Sequence, residues 1–347
     1  MAIPAFLMFL RNVKRIMAPI VCPIGIVLNV ILLTLIITKS PSQMKNFKKV
    51  FILTCVTELA LAAFNLFFLQ TMFHIDGIYY TFTDGVLGPV SRGLSLASHE
   101  VHVFFQYACL TNTAVVFTVR YLSVCHDINT SLLAFFPLFG VWWAIILVYV
   151  GFLTEIAIDT PDKPSIHTNL RTTEYWAWEN STDYYIADKS RFALYAYILA
   201  IPVTLISYFI VLVLAFLIWR KLHKLSSMMS AEQLRAHREI TIVLFVEALV
   251  PFITPVFPVS LDVLSFVIPH MFSIDFNEIS GLIFILSPPV TALSKLASIK
   301  PYRDTIFTVI YRAMGKQYVP AGRTTITVVS TVSRTPQSQQ LFSVVKK

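Results

Sequence analysis

Apolar residues gather in seven long runs separated by short polar segments. The runs cover 16–38, 50–73, 93–119, 131–154, 192–219, 240–268 and 277–298. Crossing a bilayer core of roughly 30 Å takes about 20 apolar residues in a helix, and each run suffices. Backbone N–H and C=O groups facing lipid find no water, so each run is read as a helix. The predicted fold is an all-α membrane protein, a seven-transmembrane helix bundle without internal repeats. Past the last run, Ile306, Phe307, Ile310, Tyr311 and Met314 form one apolar face, and Gly315 can end it. That pattern predicts a membrane-surface helix over about 301–314. The domain plan is a bundle over 1–312 and a polar, Ser- and Thr-rich tail over 313–347. The tail is expected to be disordered, cytosolic and open to phosphorylation.

Composition sharpens this picture. Of 347 residues, 56% are apolar and 13% are charged, about half the charged share of a soluble domain. The net charge of +8 invites a nucleic-acid reading. Basic loops on one membrane face explain it better, so membrane lipid rather than nucleic acid is the expected partner. The segments 39–49, 120–130, 220–239 and 295–347 carry 19 of the 27 Lys and Arg residues. The N-terminal segment, 74–92, 155–191 and 269–276 carry the other 8. The positive-inside rule then places the N-terminus outside and the C-terminus in the cytosol. Arg11, Lys14 and Arg15 run against the count, nearly matching Lys39, Lys45, Lys48 and Lys49 across the first span. Asn180-Ser181-Thr182 is a glycosylation acceptor in the acidic loop 155–191. None of the four cysteines falls in the loops placed outside, so no disulfide framework is visible.

Ionisable residues inside a bilayer are costly and face the bundle interior. In the third span, Ser95, His99, His102, Gln106 and Thr113 lie within about 60° of one another at 100° per residue. Glu100 sits about a quarter-turn away. The stripe reads as the wall of a ligand pocket, or as interhelical hydrogen bonding that fixes packing. His99 and His102 lack a third ligand for a metal. In the sixth span, Glu247, Pro251, Thr254, Pro258 and Asp262 share a face. Prolines kink helices, so this face reads as a gating element or as a static kink. Glu58 is a third interior acid, open to cation binding, to pairing with polar groups or to protonation. Tyr175, Trp176, Trp178, Tyr184 and Tyr185 are candidates to roof the pocket. No phosphate loop, zinc spacing, nucleophile motif or filter loop is present, so neither an enzyme nor a cofactor is expected.

Several segments fall in an order that resembles a known family. They are Leu28-Asn29, Thr38-Lys39-Ser40-Pro41, Thr57-Glu58 with Gln70, and Gly88-Pro89. Arg120-Tyr121, Leu249-Val250-Pro251 and Ile299-Lys300-Pro301-Tyr302-Arg303 follow. Over about residues 20–312 the chain resembles the nematode seven-transmembrane chemoreceptors, in particular the class D-like group of the Str superfamily. Val90 stands where the family often has Cys, Ser287-Pro288 where Asn-Pro is expected, and Val119 precedes Arg120 in place of an acid. The resemblance implies a G-protein-coupled chemosensory receptor in the plasma membrane of ciliated sensory neurons. It implies a small odorant or pheromone-like ligand and a heterotrimeric G protein as partners. On that basis His99, Glu100, His102, Gln106 and Asp262 are expected at the ligand. Glu58, Glu247, Pro251 and Pro258 are expected in gating. Arg120, Tyr121, Arg235, Arg238 and Glu239 are expected at the G protein, with Glu239 as the resting partner of Arg120. A transporter using the buried acids and histidines, or a seven-span ion channel, are the competing readings.

Overall fold

The structure is a computed structural model that describes residues 5–40, 45–75, 78–126, 128, 132–155, 184–188, 194–226, 245–261, 275–316 and 318. Its helices are α1 (Ala5–Lys39), α2 (Lys45–Phe67), α3 (Arg92–His126), α4 (Leu132–Glu155) and α5 (Ile201–Ser226). Then come α6 (Phe245–Leu261), α7 (Asp275–Ser298) and α8 (Lys300–Ala313). Among the described residues, six are long and apolar enough to cross a membrane, and α6 is a shorter apolar helix. Ile16, Ile20, Ile24 and Val27 of α1 and Leu205, Phe209, Leu212 and Phe216 of α5 are exposed. Helix faces of that composition suit lipid rather than water. The chain forms two units, Met1–Arg303 and Asp304–Lys347.

The all-α expectation needs correction. The second apolar run does not stay helical to residue 73: α2 stops at Phe67, and a strand begins at Gln70. Strands β1 (Gln70–Ile75), β2 (Ile78–Thr83) and β3 (Tyr185–Asp188) form an antiparallel sheet in that order. Tyr80 and Phe82 of β2 are buried against Tyr184, at ring distances of 5.7 and 5.1 Å. The signal was present, since Asp76-Gly77, a favoured hairpin dipeptide, separates two stretches rich in Thr, Tyr, Phe and Ile. High apolarity up to residue 73 masked it. Loop amides end α2: Val86 N donates to Leu66 O at 3.0 Å and Leu87 N to Phe67 O at 3.1 Å. These bonds satisfy carbonyls that a helix end leaves open. The approach needs glycine at position 85, where a Cβ would lie 2.2 Å from Phe67 O.

The basic residues that ran against the charge count are structural. Arg11 donates to both oxygens of Asp84, each at 2.7 Å, while Arg15 reaches Oδ1 at 2.5 Å and the Thr71 hydroxyl reaches Oδ2 at 2.7 Å. The Arg11 guanidinium also lies over the Phe82 ring, 5.2 Å from its centroid. One turn along, Lys14 Nζ donates to Glu278 Oε2 of α7 at 2.9 Å, and the Met72 amide of β1 donates to Oε1 at 3.0 Å. Helix α1, the hairpin and α7 are thereby tied together at one end of the bundle, hereafter the sheet end. Deeper in, Asn29 Nδ2 donates to Gly25 O and Pro288 O, at 2.9 and 3.2 Å, and Cys55 Sγ donates to Asn29 O at 3.1 Å. Asn112 links α2 to α4, donating to Thr57 Oγ1 at 3.0 Å and accepting from Trp143 Nε1 at 3.4 Å.

Burial alone would raise the Asp84 carboxyl, but the hydrogen bonds and charge of Arg11, the charge of Arg15 and the Thr71 hydroxyl outweigh it. They hold the carboxyl well below the usual carboxylate range. The stability it supplies is therefore complete above the unfolded value of about 3.9 and fades only as pH falls toward the folded value. Asp84→Asn is expected to destabilise by about 3–5 kcal/mol, because it leaves buried Arg11 uncompensated. The loss should be the same at about pH 5 and about pH 8. Thermal melts of the purified protein check both points.

Candidate functional site

The interior holds two polar centres. At the sheet end, α3 aims His99, His102 and Gln106 into the bundle, and all three are buried. His102 Nδ1 lies 3.1 Å from Asn65 Oδ1 of α2, and its ring meets Phe284 of α7 edge-on at 6.2 Å. The His99 ring lies 6.0 Å from Tyr79 of β2. Ser95, at the end of the stripe, serves packing. It shares hydrogen bonds of 3.3 Å with Thr83, which also reaches Ser98, while Gln70 donates to Ser98 at 3.0 Å. Glu100 is not in this group, because it turns to α4 and accepts from Thr154 Oγ1 at 2.5 Å. Asp262 lies outside the described residues, as do Asn180, Tyr175, Trp176 and Trp178.

Periodicity singled out none of Lys14, Asn65 and Glu278, which complete this centre. Lys14 read as a topogenic charge, and Glu278 opened an apolar run. Their partners come from elements far away in sequence, so no local pattern reveals them.

The second centre lies toward the opposite end. Arg120 Nη1 of α3 sits 2.5 Å from Glu247 Oε2 of α6, with both side chains under a tenth exposed. The contact is close in distance and off-axis as a hydrogen bond. The guanidinium also lies 5.9 Å from the centroid of the Phe51 ring of α2. Arg235, Arg238 and Glu239 lie outside the described residues, so the partner given to Arg120 is Glu247. Tyr121 is set apart from this pair, its hydroxyl 3.1 Å from His126 Nε2.

Beside the pair is a cavity of about 560 Å³, counting its open mouth, lined by Thr54, Glu58, Asn112, Glu247, Pro251 and Lys295 among others. Lys295 of α7, counted from sequence as a loop charge, is buried and donates to Thr54 Oγ1 at 3.1 Å. Glu58 lies among Lys295, Thr291 and Cys109. Above the cavity, Pro251 precedes a π-helical turn of α6, Phe252–Val256. Such turns widen the helix and leave carbonyls to be met from outside. Tyr208 of α5 donates to Ala248 O at 3.2 Å, and Ser287 of α7 reaches Thr254 Oγ1 at 3.4 Å. Pro258 is buried one turn on. Among the described residues, no three His, Cys, Asp or Glu side chains group as a metal site.

The two centres differ in chemistry. The first combines imidazoles, amides and one ion pair with aromatic walls. The second joins charges from four helices, so displacing any one of them disturbs the others. Lys295→Met and Glu58→Gln are each expected to lower the melting temperature. The double variant should lose less than the sum, with a coupling of about 1–3 kcal/mol. Strict additivity would mean that the two groups do not interact.

A comparison with curated proteins finds no match. The family model for the serpentine type 7TM GPCR chemoreceptor Srd matches residues 14–308, from the lysine of the sheet-end ion pair into α8. A match over most of the chain, on a mostly helical bundle with six candidate spans, makes this a membrane protein that belongs to the Srd family of serpentine chemoreceptors.

Proposed function

We propose that the chain is a ligand-activated chemosensory receptor that couples to a heterotrimeric G protein. Its N-terminus is outside, and α6, extended by its flanks, is the seventh span. The observation that carries the reading is the Arg120–Glu247 ion pair, which bridges α3 and α6 one helical turn from Pro251. A small ligand held at His102 and Gln106 bears on α3, while the π-helical turn gives α6 a place to bend. Bending there separates Glu247 from Arg120 and frees the guanidinium, always charged and rich in donors, for an incoming partner. A buried pair makes a firmer resting lock than an exposed one, worth only about 0–1 kcal/mol.

The charge count supports the orientation. With Arg11, Lys14 and Arg15 set aside as partners of Asp84 and Glu278, and interior Lys295 set aside too, Lys and Arg divide five to eighteen. That favours the Arg120 end as cytosolic. The membrane meant is the plasma membrane of a ciliated sensory neuron, by resemblance to nematode receptors of the Str superfamily. Asn180 is then a lumenal glycosylation site, and α8 with the 313–347 tail lies on the cytosolic side.

Arg120→Ala should abolish G-protein activation at matched surface density, and Glu247→Gln should raise basal activity several-fold. Guanine-nucleotide exchange on the same membranes reads both, and full signalling by Arg120→Ala rejects the coupling role. In intact cells, an antibody should reach a tag at the N-terminus but not one at the C-terminus. Glycosidase should shift the wild type but not Asn180→Gln.

A further inference from the structure

Four helices bring their polar groups together at the sheet end, and not every donor there meets an acceptor. Asn65 is 1% exposed, and its amide nitrogen has no hydrogen-bond partner. As placed, its carbonyl accepts from His102 Nδ1, so the imidazole proton is on Nδ1 and Nε2 is the ring's acceptor. Lys14 is also buried. Its ammonium carries three donors and makes one bond, to Glu278. Both Glu278 oxygens are engaged, one by Lys14 and the other by the Met72 amide. Lys14 Nζ lies beside Gly281 of α7, one turn before Phe284. His102 and Gln106 are each 8% exposed. The Phe284 ring forms an apolar wall beside His102.

Leaving a buried donor unmade is costly, so such a group calls for an explanation. We infer that Asn65 and Lys14, with His102, form the polar end of the ligand site, and that the group they take is a neutral hydrogen-bond acceptor: the carbonyl oxygen of a small ketone, aldehyde or ester. The inference rests on the receptor reading and deepens it. A carbonyl oxygen has two lone pairs and matches donors arriving from two helices. An amine would bring donors to donors. A carboxylate would meet Lys14 already neutralised by Glu278 and would lose its own hydration with no free counter-charge. The hydrocarbon part of the ligand packs on Phe284 and Tyr79.

The test uses the purified full-length receptor in lipid nanodiscs and matched sets of methyl ketones, acetate esters, carboxylates, primary amines and alkanes. Binding is read as thermal stabilisation, and signalling as nucleotide exchange on added G protein. Ketones or esters are expected to stabilise the wild type. Asn65→Leu should weaken them about tenfold, the scale of one or two hydrogen bonds. Asn65→Asp, with the same shape but no amide donors, should do likewise and guards against a folding defect. Binding confined to amines, carboxylates or alkanes, or no stabilisation by any carbonyl probe, overturns the proposal. So does equal carbonyl affinity in the wild type and both variants, which would mean that the Asn65 amide holds only solvent. Carbonyl binding lost in both variants, with no exchange by the wild type, keeps this site and removes the receptor reading. Exchange triggered by an amine alone does the reverse.

Discussion

Asp84 collects two hydrogen bonds from Arg11, one from Arg15 and one from Thr71, and the sheet end of the molecule is arranged around that carboxylate. A buried acid is stable only when its charge is met in full. Meeting it here draws in the first helix, the first strand and the loop that closes α2. The neighbouring Lys14–Glu278 pair adds α7 by the same logic. No disulfide contributes, since all four cysteines are free. Strand pairing of β3 with β2, and the packing of Tyr184 on Tyr80 and Phe82, hold the segment before α5 in place instead.

That clamp ties the sheet end, and a different ion pair stands at the opposite end. The Arg120–Glu247 pair spans α3 and α6, and α6 carries both a proline and a π-helical turn within two turns of Glu247. An ion pair across a bendable helix has two natural arrangements, made or separated, and can therefore report an event elsewhere. Lys295 and Glu58 place charged groups on the wall of the adjoining cavity, beside Phe51, Val116 and Phe117.

The π-helical turn also changes which backbone groups of α6 need partners. Proline removes a donor, and the widened turn shifts the ladder, so carbonyls near Ala248 need outside partners. Tyr208 supplies one from α5.

The sequence by itself determined the membrane class, the number and order of the apolar runs, and the inward polar stripe of α3. Those follow from periodicity, which is local: residues three or four apart share a helix face whatever the rest of the chain does. The same locality explains the misreadings. An apolar strand and an apolar helix look alike over short runs, so Gln70–Phe73, most of β1, was absorbed into the second span. Lys14 and Lys295 counted as loop charges because their countercharges lie far off in sequence, Glu278 for one and the Glu58 centre for the other. Arg120 meets Glu247 inside the bundle, an acid that the pattern along α3 does not point to, while Glu239 lies outside the described residues. Which charge meets which, and which donors are left over for a ligand, only the tertiary structure decided. Pairing inside a low-dielectric core depends on distances between helices, and no spacing along one helix encodes them.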